Sequence, residues 1–403
     1  MESKQNMTIE IPAGFLLTGV HGGIKKNAAK EDFTLIHCPG GATAAGVYTQ
    51  NLVFAAPVGF DRERTPSANI HVVAVNSGNA NACTGERGMQ DCREMARLSS
   101  AACGEDEKSS LVMSTGVIGV FLPMDKIANG AKLAAAKLGN DEAAFLSAAR
   151  GIMTTDQFHK VVSRSLEIGG RTIRLAGMCK GAGMIGPHMA TMLAVMLTDA
   201  PLQPADAQQV LKAATDESFN CISVEGHMST NDTLLLLASG AAGGEPLSGA
   251  DLQQFQAALT DACIELAQQI PDDGEGASHL ICIQIKGCRD RAAAQQIAQT
   301  VANSALVKTA VAGADPNWGR IVSAAGYAGV PFKPAGVGLV VNGHELYRDG
   351  APVAFDAKTV SQSIKSSRQT DITLTFAEGK SDGRFWTSDL NVNYVRFNSE
   401  YTT

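Results

Sequence analysis

The sequence has no basic block, no metal-ligand spacing and no long apolar run, and each absence removes a class of function. Its 33 Lys and Arg are outnumbered by 40 Asp and Glu, a formal net charge of −7, so no nucleic-acid partner is expected. The nine cysteines are scattered without a C-x-x-C pair, Cys282 and Cys288 standing nearest. That is the usage of a reduced, cytoplasmic chain. The eight histidines show no ligand spacing either, so no metal is expected. No apolar run approaches the roughly 18 residues of a membrane span, and the opening MESKQNMTIEIPAGF lacks the apolar core of a signal peptide. No membrane partner is expected. No internal repeat or low-complexity linker stands out. What remains is 45% hydrophobic and 18% charged over 403 residues, an ordinary globular composition with enough chain for roughly two or three core-forming units.

The chain is organised around Lys180 to Asp199, KGAGMIGPHMATMLAVMLTD. A glycine-rich loop leads through Ala190-Thr191 into the apolar run 192–197. A small residue followed by threonine at a loop-to-strand junction has a specific chemical use. The threonine hydroxyl can attack the preceding carbonyl, and hydrolysis of the ester leaves a new chain whose first residue holds both a nucleophile and an α-amine base. Two alternatives stand beside this. Gly181, Gly183 and Gly186 match a dinucleotide-binding G-x-G-x-x-G by spacing, although Pro187 follows directly and no suitable helix is evident. The other is a plain glycine loop before a buried strand, which composition alone favours.

Elsewhere, strands that run into small-residue loops recur. The run 70–75 ends in Asn76-Ser77-Gly78-Asn79-Ala80-Asn81, which fits a structural turn and a site-supporting loop equally well. The run 111–113 ends in Ser114-Thr115-Gly116, where a hydroxyl stands beside a residue that admits close backbone approach. Strands are also expected at 33–37, 46–49, 234–238, 279–286, 306–311, 337–341, 372–376 and 386–394. A hairpin is expected from 161–168 and 171–175 around Gly169-Gly170. Helices are expected at 90–103, 124–138, 141–153, 204–216, 251–270 (capped by Ser248) and 292–304. Lys25 and Lys26 read as solvated lysines, and the tail 395–403 as a frayed end.

KGAGMIGPHMATML resembles the self-cleavage segment of the glutamate N-acetyltransferase/ornithine acetyltransferase family. The likeness runs along nearly the whole chain: the G-x-x-x-G-I-K-K of 19–26, NSGNAN at 76–81, STGVIG at 114–119, IMTTD at 152–156, STNDT at 229–233, DGEGA at 273–277 and GADPNWGRI at 313–321. The resemblance implies a layered α/β fold of sheets flanked by helices, with an N-terminal-threonine nucleophile after autocleavage. It divides the chain at Ala190-Thr191 into 1–190 and 191–403. It makes Thr191 the nucleophile and gives the oxyanion hole to Thr115 and Gly116. Substrate contacts fall to Thr154 (with Thr155 in reserve), Lys180, Thr191, Glu275, Asn398 and Thr403. The implied reaction moves acetyl from N-acetyl-L-ornithine to L-glutamate through an acetyl-threonine, within cyclic arginine biosynthesis. The implied partners are small amino-acid substrates and the chain's own two fragments in an α2β2 heterotetramer. No cofactor is implied, and acetyl-CoA enters only as a donor substrate.

The sequence departs from the family pattern at His188, Glu225, His227, Met228, Ser278 and His279. Those departures leave substrate preference open. Two rival functions are an N-terminal-nucleophile amidohydrolase or aminopeptidase with water as acceptor, and a non-catalytic binder of arginine-pathway metabolites.

Overall fold

In the computed structural model, which describes residues 9–186 and 192–400, two sheets carry the chain. The strands of the first are β1 (Leu16–Val20), β2 (Phe33–Tyr48), β3 (Ser67–Asn79), β4 (Ser110–Val117), β5 (Lys160–Ile168), β6 (Arg171–Lys180) and β7 (Leu193–Thr198) and, beyond the short β8 (Ile222–Ser223), β9 (Thr233–Ala238). Its order is β4-β3-β2-β9-β7-β6-β5, with β1 also paired to β2. The second sheet takes β8 together with β10 (Leu280–Cys288), β11 (Gly338–Val341), β12 (His344–Arg348), β13 (Ala351–Pro352), β14 (Gln369–Thr375) and β15 (Ser381–Ser388). Its order is β13-β12-β11-β14-β10-β15-β8.

Successive strand residues face opposite sides of a sheet, and β7 and β9 are buried on both. Ala194, Met196, Leu234 and Leu236 join one core, while Leu193, Val195, Leu235 and Leu237 join another. This is why both strands read as unbroken apolar runs rather than alternating ones; they pair in parallel at the centre of the sheet. One face of the first sheet is covered by α4 (Glu142–Gly151), through Phe145, Ala148 and Ala149. At the β3–β4 end the other face carries α1 (Ala56–Arg62), α2 (Gly85–Cys103) and α3 (Met124–Ala135). Over β2, β5 and β6 that face carries α5 (Pro204–Glu217) and α6 (Gly249–Asp272). Helix α6 also touches β8 and β15, so it lies between the two sheets. The second sheet is completed by α7 (Arg291–Ala302), α8 (Ala305–Ala312), α9 (Trp318–Gly326) and α10 (Ala357–Lys365), and α11 (Val392–Glu400) ends the described chain. The layered α/β architecture of sheets flanked by helices is therefore the one expected.

The glycine hairpin is present, with Gly169 at φ 57 and Gly170 at φ 72, the left-handed pair a tight two-residue turn requires. Its second strand runs on to Lys180. Several expectations need correction. The segments 33–37 and 46–49 are parts of one 16-residue strand, β2, kept continuous by register shifts against β3. Residues 306–311 are helical, not a strand. A short apolar run is ambiguous between the two, and the Ser304 side chain settles it by accepting the Val307 amide at the helix start. The strand expected over 386–394 stops at Ser388. There Asp389 accepts the backbone amides of Ser278 and His279, and helix α11 begins at Val392. Ser248 occupies the N-cap of α6 but makes no side-chain capping bond. Helices α1, α9 and α10 were not expected. Among the described residues all nine cysteines are free thiols, no three potential metal ligands cluster, and no helix is long and apolar enough to cross a membrane.

One buried ion cluster fastens the parts of the first sheet to the end of α6. Lys160, fully buried at the start of β5, places Nζ 2.7 Å from Asp156 Oδ1 and 2.6 Å from Asp273 Oδ2. Asp156 also accepts the Thr154 amide at 2.9 Å and the Gly181 amide at 2.7 Å. Asp273 is the C-cap of α6 and accepts the Gln157 amide. Burial alone would raise the Asp156 pKa, but the Lys160 and Lys180 ammonium groups outweigh it and hold the carboxyl well below its ordinary range. Replacing Lys160 by Met strands two buried carboxylates, and removal of one partner from such a set costs about 3–5 kcal/mol. Urea unfolding of Lys160→Met at neutral pH should show a deficit of that order. The deficit should shrink toward about pH 4, because in the variant the folded state gains protons on the stranded carboxylates before the unfolded state does.

Candidate active site

The loops at the ends of β3 and β4 approach so closely that only glycine fits. A Cβ on Gly116 (φ 134) would collide with the backbone of Gly78. The asparagines around them brace the loops internally. Asn76 Oδ1 accepts the Ser114 hydroxyl at 2.6 Å, and Asn79 Nδ2 donates to the carbonyls of Val120 and Phe121. From the other side, Asn231 Nδ2 donates to the carbonyls of Ala80 (2.6 Å) and Ser114 (2.8 Å). The 76–81 segment thus supports the position of Thr115 and Gly116, and Ala80 itself reaches the cleft.

That cleft, about 130 Å³, is lined by Thr115, Gly116, Thr154, Thr155, Lys180, Glu275 and Asn398 among others. The structure therefore gathers residues from β4, the turn after α4, the end of β6, the turn after α6 and helix α11. Lys180 is only 2% exposed. Its Nζ lies 3.4 Å from Thr115 Oγ1. Burial pulls its pKa below the ordinary lysine range, and Asp156, Glu275 and Asp232 partly restore it. Thr154 is fixed through its amide by Asp156, and both threonines of the pair line the cleft.

Glu275 is held by a backbone bond to the Ala182 carbonyl at 2.9 Å. Its carboxylate lies against Gly183 so closely that a Cβ there would overlap it. Gly183 therefore serves a carboxylate rather than a phosphate. The dinucleotide reading falls with it, because among the described residues the next regular element after 181–186 is the strand β7, not a helix. Nor is the described part of the tail, up to Glu400, a frayed end. Helix α11 packs onto Gly276, where a Cβ would overlap the Tyr394 backbone, and Asn398 Nδ2 donates to Glu275 Oε2 at 3.1 Å. Ala190, Thr191, His188 and Thr403 lie outside the described residues.

The chain on either side of residues 187–191 is fastened. Before them, the Ile185 carbonyl accepts the amides of Val224 and Gly226, and Glu225 Oε1 accepts the Ile185 amide at 2.6 Å. Burial pushes the Glu225 carboxyl up to about 7. After them, Asp232 Oδ1 accepts the Met192 amide at 3.1 Å. Lys25 is not solvated as expected. Its Nζ donates to the carbonyls of Glu31 (2.7 Å) and Met153 (2.8 Å), next to Thr154, and burial lowers its pKa to about 8. His279 turns away from the cleft, its ring bonded to Ser278 Oγ and the Ile364 carbonyl.

Residues that sequence reasoning did not single out include Asp156, Lys160, Asp273, Asn231 and Asp232. Asn231 and Asp232 stood inside the quoted STNDT segment. Lys160 carried no signal, since its ring of partners exists only once β5 and α6 are packed.

The family model described as ArgJ family matches residues 16–403. The arginine biosynthesis bifunctional protein ArgJ of Rhodopirellula baltica is 46% identical over 98% of this chain and 96% of its own length. That of Symbiobacterium thermophilum is 44% identical over 98% of both. A solved ornithine acetyltransferase complexed with ornithine, from Mycobacterium tuberculosis, is 33% identical over 46% of this chain and 96% of the solved chain, with a TM-score of 0.41. By its match to the family model over nearly its full length, and by its identity to the two ArgJ proteins of Rhodopirellula baltica and Symbiobacterium thermophilum, the chain belongs to the ArgJ family.

Proposed function

We propose that this protein is an acetyltransferase of arginine biosynthesis that cleaves itself between Ala190 and Thr191. It then moves acetyl from N-acetyl-L-ornithine to L-glutamate through an acetyl-Thr191 intermediate. The carrying observation is the cleft that collects Thr115, Gly116, Thr154, Lys180, Glu275 and Asn398 from separate parts of the chain. It opens beside the fastened segments that flank residues 187–191. The names of the curated relatives support the pathway.

In this reading the Thr191 amine takes the hydroxyl proton as Oγ attacks the acetyl carbonyl. Thr115 and Gly116 bind the oxyanion that forms. Ornithine leaves as the acetyl-threonine is made, and the amine of glutamate then attacks it. Thr154, Lys180, Glu275, Asn398 and Thr403 hold the amino-acid parts of the substrates. A buried ammonium suits a carboxylate and a carboxylate suits an amine. No cofactor takes part. Acetyl-CoA is a second donor to be assayed directly, and the two fragments stay together as an α2β2 heterotetramer in the cytoplasm.

Intact-mass analysis should find chains 1–190 and 191–403, roughly 20 and 22 kDa when 42.0 kDa is divided by length. Thr191→Ala should remain a single chain, and a folded wild type that stays uncut overturns the mechanism. Acetyl should leave N-acetyl-ornithine in proportion to added glutamate; release at the same rate without it assigns the acceptor to water. Thr115→Ala should remain folded and lose about 10²–10³ in turnover, measured by glutamate-dependent ornithine release. An unchanged rate moves the oxyanion site elsewhere.

A further inference from the structure

Asp232 is fully buried at the entrance to β9, yet its hydrogen bonding is incomplete. Oδ1 accepts the Met192 amide at 3.1 Å, whereas Oδ2 has no hydrogen-bond partner among the described residues. Its backbone is pinned, with its carbonyl accepting the Thr49 amide. The parallel register of β7 and β9 pairs Leu193 with Thr233, so Asp232 stands one step earlier, at Met192. Only the Cα and carbonyl carbon of Thr191 separate the Met192 nitrogen from the Thr191 nitrogen. An unsatisfied buried carboxyl is costly to the fold, and this one is spent beside the bond that self-cleavage must break.

We propose that Asp232 is the proton donor of self-cleavage, giving its carboxyl proton to the Thr191 nitrogen as the Ala190–Thr191 peptide bond opens. The inference rests on the cleavage reading given under Proposed function. The Thr191 oxygen bonds to the Ala190 carbonyl carbon and releases its proton to water. The carbon–nitrogen bond breaks, the nitrogen takes the Asp232 proton, and an ester and an amine result. The Asp232 carboxylate regains the proton that the hydroxyl released. Water then adds to the ester carbon, leaving a carboxylic acid on Ala190 and a free Thr191 hydroxyl, so water is the only reactant consumed.

The surroundings suit an acid at neutral pH. Burial pushes the Asp232 carboxyl up to about 8; the Met192 amide, the Lys180 ammonium and the nearby Thr49 hydroxyl, which is itself bonded to the Ser229 carbonyl, pull it back only in part. Lys180 is the charged group facing it from β6, and Lys180 is itself drawn toward Asp156 and Glu275.

The test follows cleavage of the full-length chain by intact mass after cell-free synthesis, across about pH 7 to 9.5. Wild-type cleavage should be fastest while Asp232 holds its proton and should decline above about pH 8. Asp232→Asn should cleave about 10²-fold more slowly and lose that decline. Asp232→Glu, which keeps a carboxyl proton, should recover part of the rate. An Asn variant that cleaves at the wild-type rate, or a wild-type rate that does not decline, overturns the assignment. If the Asn variant does not fold, the wild-type profile decides alone. A folded wild type that never cleaves overturns the underlying reading instead, which keeps the two failures distinct.

Discussion

The contact of Lys160 with Asp156 and Asp273 is the constraint on which the cleft depends. One ammonium joins the start of β5, the turn after α4 and the C-terminus of α6, and each carboxylate carries the bond onward to backbone amides at Thr154, Gly181 and Gln157. The turn that follows Asp273 presents Glu275, and the strand that ends just before Gly181 presents Lys180. Three cleft residues therefore take their positions from one buried charge set. Such a set contributes little net stability compared with apolar packing, but it is intolerant of losing a member. That combination suits a device that locks geometry.

Close approach is the second organising feature. Gly116 rests on Gly78, Gly183 on the Glu275 carboxylate, and Gly276 on the backbone of α11. At Gly116 and Gly276 a side chain would force two backbone segments apart, and at Gly183 it would displace the Glu275 carboxylate. The acids and bases are arranged with similar economy. Lys180 lies within the influence of Asp156, Glu275 and Asp232, which offset part of the effect of its burial. Lys25 braces the Met153 carbonyl beside Thr154.

Local chemistry was legible in the sequence wherever it depended on neighbours in the chain. The Gly169-Gly170 hairpin, the small-residue loops after β3 and β4, the long amphipathic helix before Asp272 and the double-sided burial of β7 and β9 all follow from spacing and residue type. Four expectations failed where a short apolar run or a terminus had to be judged without its tertiary partners. Residues 306–311 became α8 because Ser304 caps them. The last strand stopped at Asp389 because that carboxylate is taken by Ser278 and His279. The described part of the tail is a helix lying on Gly276, and Lys25 was drawn inward by two carbonyls.

By itself the sequence determined the mixture of strands and helices and the order of the motif segments, while the layered α/β class came through its resemblance to a family. The strands and helices rest on interactions within a few residues, where spacing is fixed by covalent geometry. Tertiary structure alone decided that Thr115, Thr154, Lys180, Glu275 and Asn398 share one cleft, and that Lys180 is buried in it. It also decided that Lys160 meets Asp273 across 113 positions of the chain and that Asp232 stands at Met192. Those outcomes depend on strand register and on which charges burial brings together, and burial multiplies the strength of a charge contact that in water would be too weak to specify anything.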